Sequence, residues 1–372
     1  MSRTTRILTA VAITVGALAP AIQLSAQRTQ PETVFAMTND ANRNEVIAFE
    51  QAPSGQFYET NRFATGGRGS GGTVDPLSSQ GSLTLSPDHS TLYAANAGSG
   101  TVSVFHVFRS SLTLVDRIDA GGSQPVAIAQ WNNVVYVLSS GGSGSIVAFR
   151  YGWDGRLQEI PNSTVYLSNS RVSGASITVS PDGKYLVATE VVAGNIDIFP
   201  IKSDGTLGKA AFVPSPGPGV FSAQFAPEDA LIVSETGGSN GSAISSYAVS
   251  TGALTAITQS LPTLGAANCW SAITPNGKFV YASNAGTSTI SGFAIGANGA
   301  LTAIGSTIVA TNPAGATNLD LTISSDGKYL FSLNTGSGTV GVFAIQQDGT
   351  LVSAGDIAGL PQAAGLQGIA AL

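Results

Sequence analysis

The sequence of 372 residues is short of charge and of cysteine. Charged residues make up 10% of it, and its net charge is −6 at pH 7. This composition provides no basic surface that could follow a phosphate backbone, so we expect no nucleic acid partner. The only cysteine, Cys269, excludes disulfides within the chain and metal sites built from several thiolates. Stability must therefore come from packed secondary structure rather than from covalent cross-links.

Long hydrophobic runs are also missing, apart from one near the amino terminus. Residues 1–26 have a basic start at Arg3 and Arg6, an apolar stretch, and a small-residue end at Ser25-Ala26. This is the layout of a cleavable secretory signal. The apolar stretch is shorter than the ~20 residues that a membrane span requires. We therefore predict a signal peptide at 1–26, a mature domain at 27–372, a secreted or periplasmic location, and no membrane partner.

A sustained helical period is absent from the mature chain, and an internal repeat is present instead. Its clearest copy is SITVSPDGKYLVATE at 176–190, which is an alternating strand, a tight Asp-Gly turn and a second strand. Equivalent turn positions recur every 44 to 50 residues, at Pro87, Trp131, Pro181, Pro227, Pro275 and Ser325. This is the period of a propeller blade with four short antiparallel strands.

The two chain ends look complementary. TVFAMTND at 33–40 begins like a second strand, whereas LQGIAAL at 366–372 reads as a first strand with nothing after it. Pairing them would complete a seventh blade and remove the exposed edges of an open ring. The predicted fold class is therefore all-β, a seven-bladed β-propeller closed by pairing of its N- and C-terminal strands, which we expect to be a monomer.

Candidate functional residues lie where the second strands end, because these ends surround one mouth of the central channel. In blade order they are Asn39, Asn96, Ser139, Glu190, Glu235, Asn284 and Asn334. Two crowded carboxylates can divide acid and base roles, which makes Glu190 and Glu235 the candidate catalytic pair. The alternative is that both carboxylates only cap backbone N–H groups of loops.

Other residues are predicted to form the wall of this funnel and to contact a substrate. They are Arg171, Asn96, Asn284, Trp270 and Phe221. Two carboxylates among amide oxygens would also suit a divalent cation such as calcium, although no cofactor is required by any motif. The sequence leaves open whether the funnel is free or plugged by the long loop at 60–81.

Several catalytic signatures are absent. His89 lies in a predicted hairpin turn and His106 in a third strand, so neither can pair with Cys269 at the mouth as a nucleophile and base. The chain also has no Gly-x-Ser-x-Gly motif.

Three segments resemble the seven-bladed lactonase family, which includes 6-phosphogluconolactonase-like and carboxymuconate-cyclase-like proteins. They are SSQGSLTLSPD at 78–88, SPDGKYL at 180–186 and TPNGKFVYASNAG at 274–286. The resemblance implies a propeller with a site at the channel mouth that uses a His, an Arg and a Glu. Glu235 and Glu190 occupy the acidic positions. Phe221 and Ser222 stand where the family has its Arg and His, and blade 4 has Gly174-Ala175 in place of Pro-His.

Two functions are compatible with the absence of the family's Arg and His. The first is hydrolysis of a neutral or sugar-derived lactone, because a phosphorylated substrate would require the missing cations. The second is a non-catalytic extracytoplasmic propeller that binds a small molecule, a glycan or a partner protein at the same funnel.

Overall fold

The protein is built from β-strands and turns. The computed structural model describes residues 31–168, 173–237, 241–250 and 252–372, so the signal-peptide prediction at 1–26 lies outside the described residues. Those residues form 29 strands in seven antiparallel sheets. The described part of the chain contains no helix of the length and hydropathy that would cross a membrane. The prediction of an all-β, seven-bladed propeller is confirmed.

Each sheet is one blade, and its first strand lines the central channel. Blade 1 contains β1 (Thr33–Met37), β2 (Glu45–Gln51), β3 (Phe57–Ala64) and the last strand of the chain, β29 (Ile369–Ala371). Blade 2 contains β4 (Leu83–Leu85), β5 (Thr91–Asn96), β6 (Thr101–Phe108) and β7 (Ser111–Asp119). Blade 3 contains β8 (Pro125–Trp131), β9 (Val134–Ser139), β10 (Ser145–Tyr151), β11 (Leu157–Glu159) and β12 (Val165–Tyr166).

The remaining four blades each have four strands. Blade 4 contains β13 (Gly174–Val179), β14 (Tyr185–Glu190), β15 (Asn195–Pro200) and β16 (Ala211–Pro214). Blade 5 contains β17 (Val220–Phe225), β18 (Ala230–Glu235), β19 (Ala243–Ser250) and β20 (Ala253–Pro262). Blade 6 contains β21 (Asn268–Ile273), β22 (Phe279–Asn284), β23 (Thr289–Ile295) and β24 (Leu301–Thr311). Blade 7 contains β25 (Asn318–Ile323), β26 (Tyr329–Asn334), β27 (Thr339–Ile345) and β28 (Leu351–Ile357).

The Asp-Gly turns predicted from the repeat join the first and second strands. In blade 4, the Ser180 hydroxyl donates to Asp182 at 2.7 Å and accepts from the Tyr185 N–H at 3.0 Å. Gly183 has φ of 69°, and a Cβ there would collide with the Trp131 indole of blade 3. Glycine is therefore required both by the turn and by the contact between blades.

Buried tyrosines help to hold neighbouring blades together. Tyr136 of blade 3 donates to the carbonyl of Gly205 in blade 4 at 2.9 Å. Tyr281 of blade 6 makes the same contact with Gly349 of blade 7, also at 2.9 Å. Each hydroxyl satisfies a buried carbonyl while its ring fills the apolar space between two sheets.

The ring closes as predicted. Strand β29 pairs antiparallel with β1, with Phe35 opposite Ala370 and Ala36 opposite Ile369. The Met37 N–H also donates to the Gly368 carbonyl at 3.0 Å. The two chain ends therefore supply the first and second strands of one blade.

Candidate functional site

The ends of the second strands lie where the sequence predicts them in six of the seven blades. The exception is Asn39, which lies two residues beyond the end of β1. Its φ of 51° is in the left-handed region, where the extended conformation of a strand ends. The other six residues close their strands and lie next to the link that enters the same blade.

The predicted substrate contacts Asn96 and Asn284 are fully buried and bonded to protein. The Asn96 amide donates to Ser103 Oγ at 2.8 Å, and the Ser103 hydroxyl donates to the Thr65 carbonyl at 2.7 Å. Asn284 repeats this arrangement through Ser291 at 2.8 Å. These amides tie the third strand to the incoming link, so in this conformation they have no surface that could contact a substrate.

Glu235 occupies the corresponding position in blade 5 and is held by three serine hydroxyls. Ser245 donates to Oε1 at 2.6 Å, and Ser215 donates to the same oxygen at 3.3 Å. Ser260 donates to Oε2 at 2.7 Å. Since each carboxylate oxygen has two acceptor positions, Oε2 keeps one for a further donor.

Glu190 occupies the same position in blade 4 and caps a loop. Its Oε1 accepts from the Ser168 N–H at 2.5 Å, and its Oε2 accepts from the Ser168 hydroxyl at 2.6 Å. Glu190 therefore makes the kind of contact expected if it only caps a backbone N–H group of a loop.

A second carboxyl group, Asp197, lies against Glu190. Asp197 is fully buried, and no hydrogen-bond donor of the described residues reaches either of its oxygens. Burial first, and then the neighbouring Glu190, raise the pKa of Asp197 to about 9. Both oxygens of Glu190 accept a hydrogen bond from Ser168, whereas Asp197 has the raised pKa, so Asp197 is the partner that holds the proton.

The sequence reasoning missed Asp197 and the three serines around Glu235. The sequence does contain a signal for Asp197. In three blades a polar residue follows the last residue of the second strand by seven positions, in the pairs Asn96 and Ser103, Glu190 and Asp197, and Asn284 and Ser291. The register confirms this equivalence, since Ser103, Asp197 and Ser291 each lie opposite an alanine of the second strand. Ser245 is further from Glu235 in sequence because the connecting loop of blade 5 is longer, which hid the pattern.

A pocket of about 370 Å³ opens beside Glu235. Its walls come from the link into blade 5, the loop after β18 and the link into blade 6. Its lining includes Gly217, Glu235, Ser260 and Leu264. Gly217 packs directly against Glu235, because a Cβ there would collide with Oε2, and the Glu235 side chain is fully buried. Glu235 is the one ionisable group among the described residues that line this pocket, and Glu190 is not part of the lining.

Trp270 and Phe221 lie inside the first strands rather than ahead of them. Their rings meet edge to face with centroids 5.1 Å apart, and Trp270 is fully buried. The Trp270 indole N–H donates to the Ser79 carbonyl at 2.8 Å. The predicted stacking of Trp270 on a ligand therefore has no support in this conformation.

The long loop between blades 1 and 2 crosses the channel mouth. Residues 73–80, here called the strap, end in Ser79 and Gln80, which are both buried. The Gln80 side chain donates to the Ser271 carbonyl of blade 6 at 2.8 Å and to Asp320 of blade 7 at 3.3 Å. The Gln80 N–H donates to the Ala175 carbonyl of blade 4 at 2.9 Å. The sequence left open whether the funnel is free or plugged by this loop. The structure shows that the strap occupies the mouth.

Gln80→Ala should destabilise the protein by about 2–4 kcal/mol, because it leaves Asp320 and the Ser271 carbonyl buried without this donor. Urea denaturation followed by circular dichroism would measure the loss. The matched control is Gln346→Ala, whose exposed side chain donates only to a nearby carbonyl, at 3.1 Å. Equal stability of the two variants would show that the strap is not held by Gln80.

Other candidate groups are placed away from this pocket or outside the described residues. Arg171 falls in the undescribed stretch 169–172, so its predicted substrate contact has no structural description. Cys269 is buried, and burial raises the pKa of its thiol, which makes it a poor nucleophile. His89 lies in its turn at the opposite end of the channel, and His106 lies on β6 with Nδ1 3.2 Å from the Ser90 carbonyl.

The described residues offer few clustered ligands for a metal ion. No group of three or more His, Cys, Asp or Glu side chains there could hold a metal ion. The calcium alternative drawn from the sequence relied on Glu190 and Glu235, which have separate sets of partners in this structure.

Solved structures share this fold at low sequence identity. A putative 6-phosphogluconolactonase from Bacteroides fragilis is 20% identical with a TM-score of 0.72, over 94% of this chain and 99% of that one. The periplasmic gluconolactonase of Pseudomonas aeruginosa is 19% identical with a TM-score of 0.65, over 91% and 99% of the two chains. At this identity the likeness shows the fold alone. None of the curated proteins searched by sequence matches the chain.

A sequence model of one family matches most of the propeller. The family is described as lactonase, 7-bladed β-propeller, and the matched residues are 121–235 and 241–364. These ranges cover more than half of the chain and run from the link into blade 3 to the segment after β28, so they include both glutamates. The chain belongs to the lactonase family of seven-bladed β-propellers.

Proposed function

We propose that the protein hydrolyses an uncharged lactone in the pocket beside Glu235. The observation that carries this proposal is that Glu235, although its side chain is buried, is one of the residues that line the pocket, where its Oε2 accepts a single hydrogen bond, from Ser260. A carboxylate in that position can accept a proton from a water molecule that attacks an ester carbonyl. Membership of the lactonase family supports the same reaction class.

The reaction requires one base and one water. Glu235 takes a proton from water, the resulting hydroxide oxygen bonds to the lactone carbonyl carbon, and the ring C–O bond breaks. Glu235 then returns the proton to the departing ring oxygen, which gives the open hydroxy acid. Ser245 and Ser260 hold the carboxylate in place, because their hydroxyls donate to its two different oxygens.

The substrate class follows from the charge of the pocket. Its described lining contains no Lys, Arg or His, and Glu235 would repel a phosphate or a carboxylate. Leu264 adds an exposed apolar surface at the rim. A neutral or sugar-derived lactone therefore fits the lining better than a phosphorylated one. We also propose export from the cytoplasm, supported by the composition of residues 1–26.

A second candidate is a binding protein without turnover, which uses the same pocket. It is favoured by the burial of Glu235 and by the three serine hydroxyls that already donate to its carboxylate oxygens. In this case Glu235 would accept a hydrogen bond from a ligand hydroxyl and would take no proton.

Glu235→Gln should reduce kcat by about 10²-fold or more with glucono-1,5-lactone or another neutral lactone, since the base is removed. Proton release from the lactone, corrected for spontaneous hydrolysis, would measure the rate. Glu190→Gln is the matched control, because it changes the equivalent glutamate one blade away and should keep turnover.

Each outcome separates the candidates. Turnover lost only in Glu235→Gln supports hydrolysis in this pocket. Turnover lost only in Glu190→Gln would place the chemistry in blade 4 and overturn the proposal. A stabilising thermal shift with lactones and no proton release from a folded sample would establish the binding protein instead.

A further inference from the structure

A fully exposed tryptophan stands on the outer part of blade 3, far along the sequence from any residue of the Glu235 pocket. Trp153 lies in the turn between β10 and β11, and its side chain is 100% exposed. Exposing an indole gains none of the stabilisation that burying it would give. A single exposed apolar side chain needs no explanation by itself, so the surroundings of the indole decide whether it has a role.

The turn itself does not require an aromatic residue. The Gly152 N–H donates to the Arg156 carbonyl at 2.8 Å, and the Gly155 N–H donates to the Gly152 carbonyl at 3.0 Å. The corresponding turns of blades 1, 4, 6 and 7 make the same two hydrogen bonds. At the position of Trp153 these four turns have Pro53, Ser203, Ala297 and Gln347. Trp153 is therefore a feature of blade 3 alone among these five turns.

A groove of about 260 Å³ between blades 2 and 3 lies beside this indole. Thr91 and Tyr151 meet at its base through a hydroxyl contact of 2.8 Å. The exposed His106 ring uses Nδ1 at the Ser90 carbonyl, and the described residues provide no partner for its Nε2. Asp154 Oδ2 has only a long contact, 3.9 Å, to Arg156 Nε. The groove thus combines one flat apolar face with polar atoms that have room for a ligand.

This combination matches the chemistry of a sugar ring. A pyranose has an apolar C–H face that can stack on an indole, and a rim of hydroxyls that donate to carboxylates and bond to imidazole nitrogens. A specific protein partner would bury about 800 Å² on this side, whereas the other apolar residues that line the groove, Val104, Phe105 and Val115, are buried or half-buried. The indole is therefore the exposed apolar surface of the groove, and its size suits one sugar ring. Asp154 and the net charge of −6 also disfavour acidic polysaccharides.

We propose that the groove between blades 2 and 3 is a carbohydrate-binding site for neutral glycans, with Trp153 as the stacking platform and His106 and Asp154 as hydroxyl partners. This site is separate from the Glu235 pocket and does not depend on the reaction proposed there. A glycan held on this surface would anchor the propeller to a polysaccharide while the pocket stays free.

The test uses the mature chain with neutral oligosaccharides of glucose in α and β linkage, of xylose, and of N-acetylglucosamine. Isothermal titration calorimetry at millimolar sugar would measure affinity. Acrylamide quenching of tryptophan fluorescence would locate the site, because Trp270 is fully buried and Trp131 is partly buried, so quenching reports mainly on Trp153. A bound sugar should shield Trp153 and reduce quenching.

Trp153→Ala should weaken binding about tenfold or more, and Trp153→Phe should keep part of the affinity. His106→Ala should weaken binding by a smaller factor. Phe108→Ala is the matched control, since Phe108 is 70% exposed but does not line the groove. Glu235→Gln should bind the sugar like the parent, which separates this proposal from the proposed hydrolysis.

Three results would overturn the carbohydrate site. Affinity unchanged in Trp153→Ala would place any sugar elsewhere on the protein. Calorimetric binding without shielding of Trp153 from acrylamide would do the same. No binding of any of the four oligosaccharides to a folded sample would show that the groove does not serve neutral glycans.

Discussion

Asp197→Ser is expected to stabilise the protein above neutral pH and to flatten its pH dependence. In the parent, folding keeps a proton on Asp197 that the unfolded chain releases, because burial beside Glu190 raises the pKa of Asp197 to about 9. Serine at this position instead reproduces the arrangement of blades 2 and 6, where Ser103 and Ser291 accept from the neighbouring amide. Its hydroxyl could donate to Glu190 without holding an extra proton.

The sign follows from proton linkage. A folded pKa above the unfolded value gives a contribution to stability that is complete below about pH 4 and is lost as the pH rises toward about 9. Across that window the parent should lose up to about 1.4 kcal/mol of unfolding free energy per pH unit relative to Asp197→Ser. At pH 7.5 the variant should be more stable by about 2–4 kcal/mol.

Urea denaturation of parent and variant at pH 5, 6, 7, 8 and 9 would measure the difference in slope. Asp75 and Asp320 also have raised pKa values, but both proteins contain them, so their effect cancels in the difference. The matched control is Asp182→Asn, an exposed aspartate of the same blade whose pKa is lowered to about 2. Above pH 5, the unfolding free energy of Asp182→Asn should change with pH as steeply as that of the parent. Parallel slopes for Asp197→Ser and the parent would show that Asp197 is not protonated in the fold.

Removal of residues 366–372 should abolish the cooperative fold. The deletion removes β29 and with it the hydrogen bonds that close the ring against β1. It also removes the buried side chains of Leu366 and Ile369, each worth about 1.5–3 kcal/mol of burial. The Met37 N–H would lose its partner at Gly368. The combined loss approaches the whole stability of a typical domain, which is about 5–15 kcal/mol.

Thermal unfolding followed by circular dichroism would test closure of the ring. The truncated chain should lack a sharp transition, and a synthetic LQGIAAL peptide added in excess should restore part of it. Val352→Ala is the control, because Val352 is exposed on the outer strand β28 and its truncation should change stability by about 0.5 kcal/mol or less. A truncated chain that melts like the parent would contradict closure by the two chain ends.

The hairpin turns and the closure of the ring are properties of short segments. Asp182 and Gly183 specify their turn through their own hydrogen bonds and φ, so the repeat in the sequence was sufficient to place the strands on either side. The pairing of residues 366–372 with β1 could also be inferred, because an unpaired strand at each end has one evident partner. The end of β1 was misplaced by two residues because the left-handed φ of Asn39 is not evident from its neighbours.

The candidate site was predictable in position and not in detail. Glu190 and Glu235 were identified because the repeat aligns the ends of the second strands. Their different surroundings could not be inferred, since Ser215 reaches Glu235 from the link into blade 5 and Ser260 reaches it from β20. Trp270 was expected to face a ligand, but the strap covers it with the Ser79 carbonyl.

The sequence by itself therefore determined the propeller, its number of blades and its closure, because strand alternation, turn chemistry and repeat length are properties of short segments. Only the tertiary structure decided that the strap fills the channel mouth, that Glu235 lines a pocket, and that Asp197 must keep a proton beside Glu190. These features depend on contacts between residues that are distant in the chain. Their energies come from burial and from hydrogen-bond partners supplied by other blades, which no local pattern encodes.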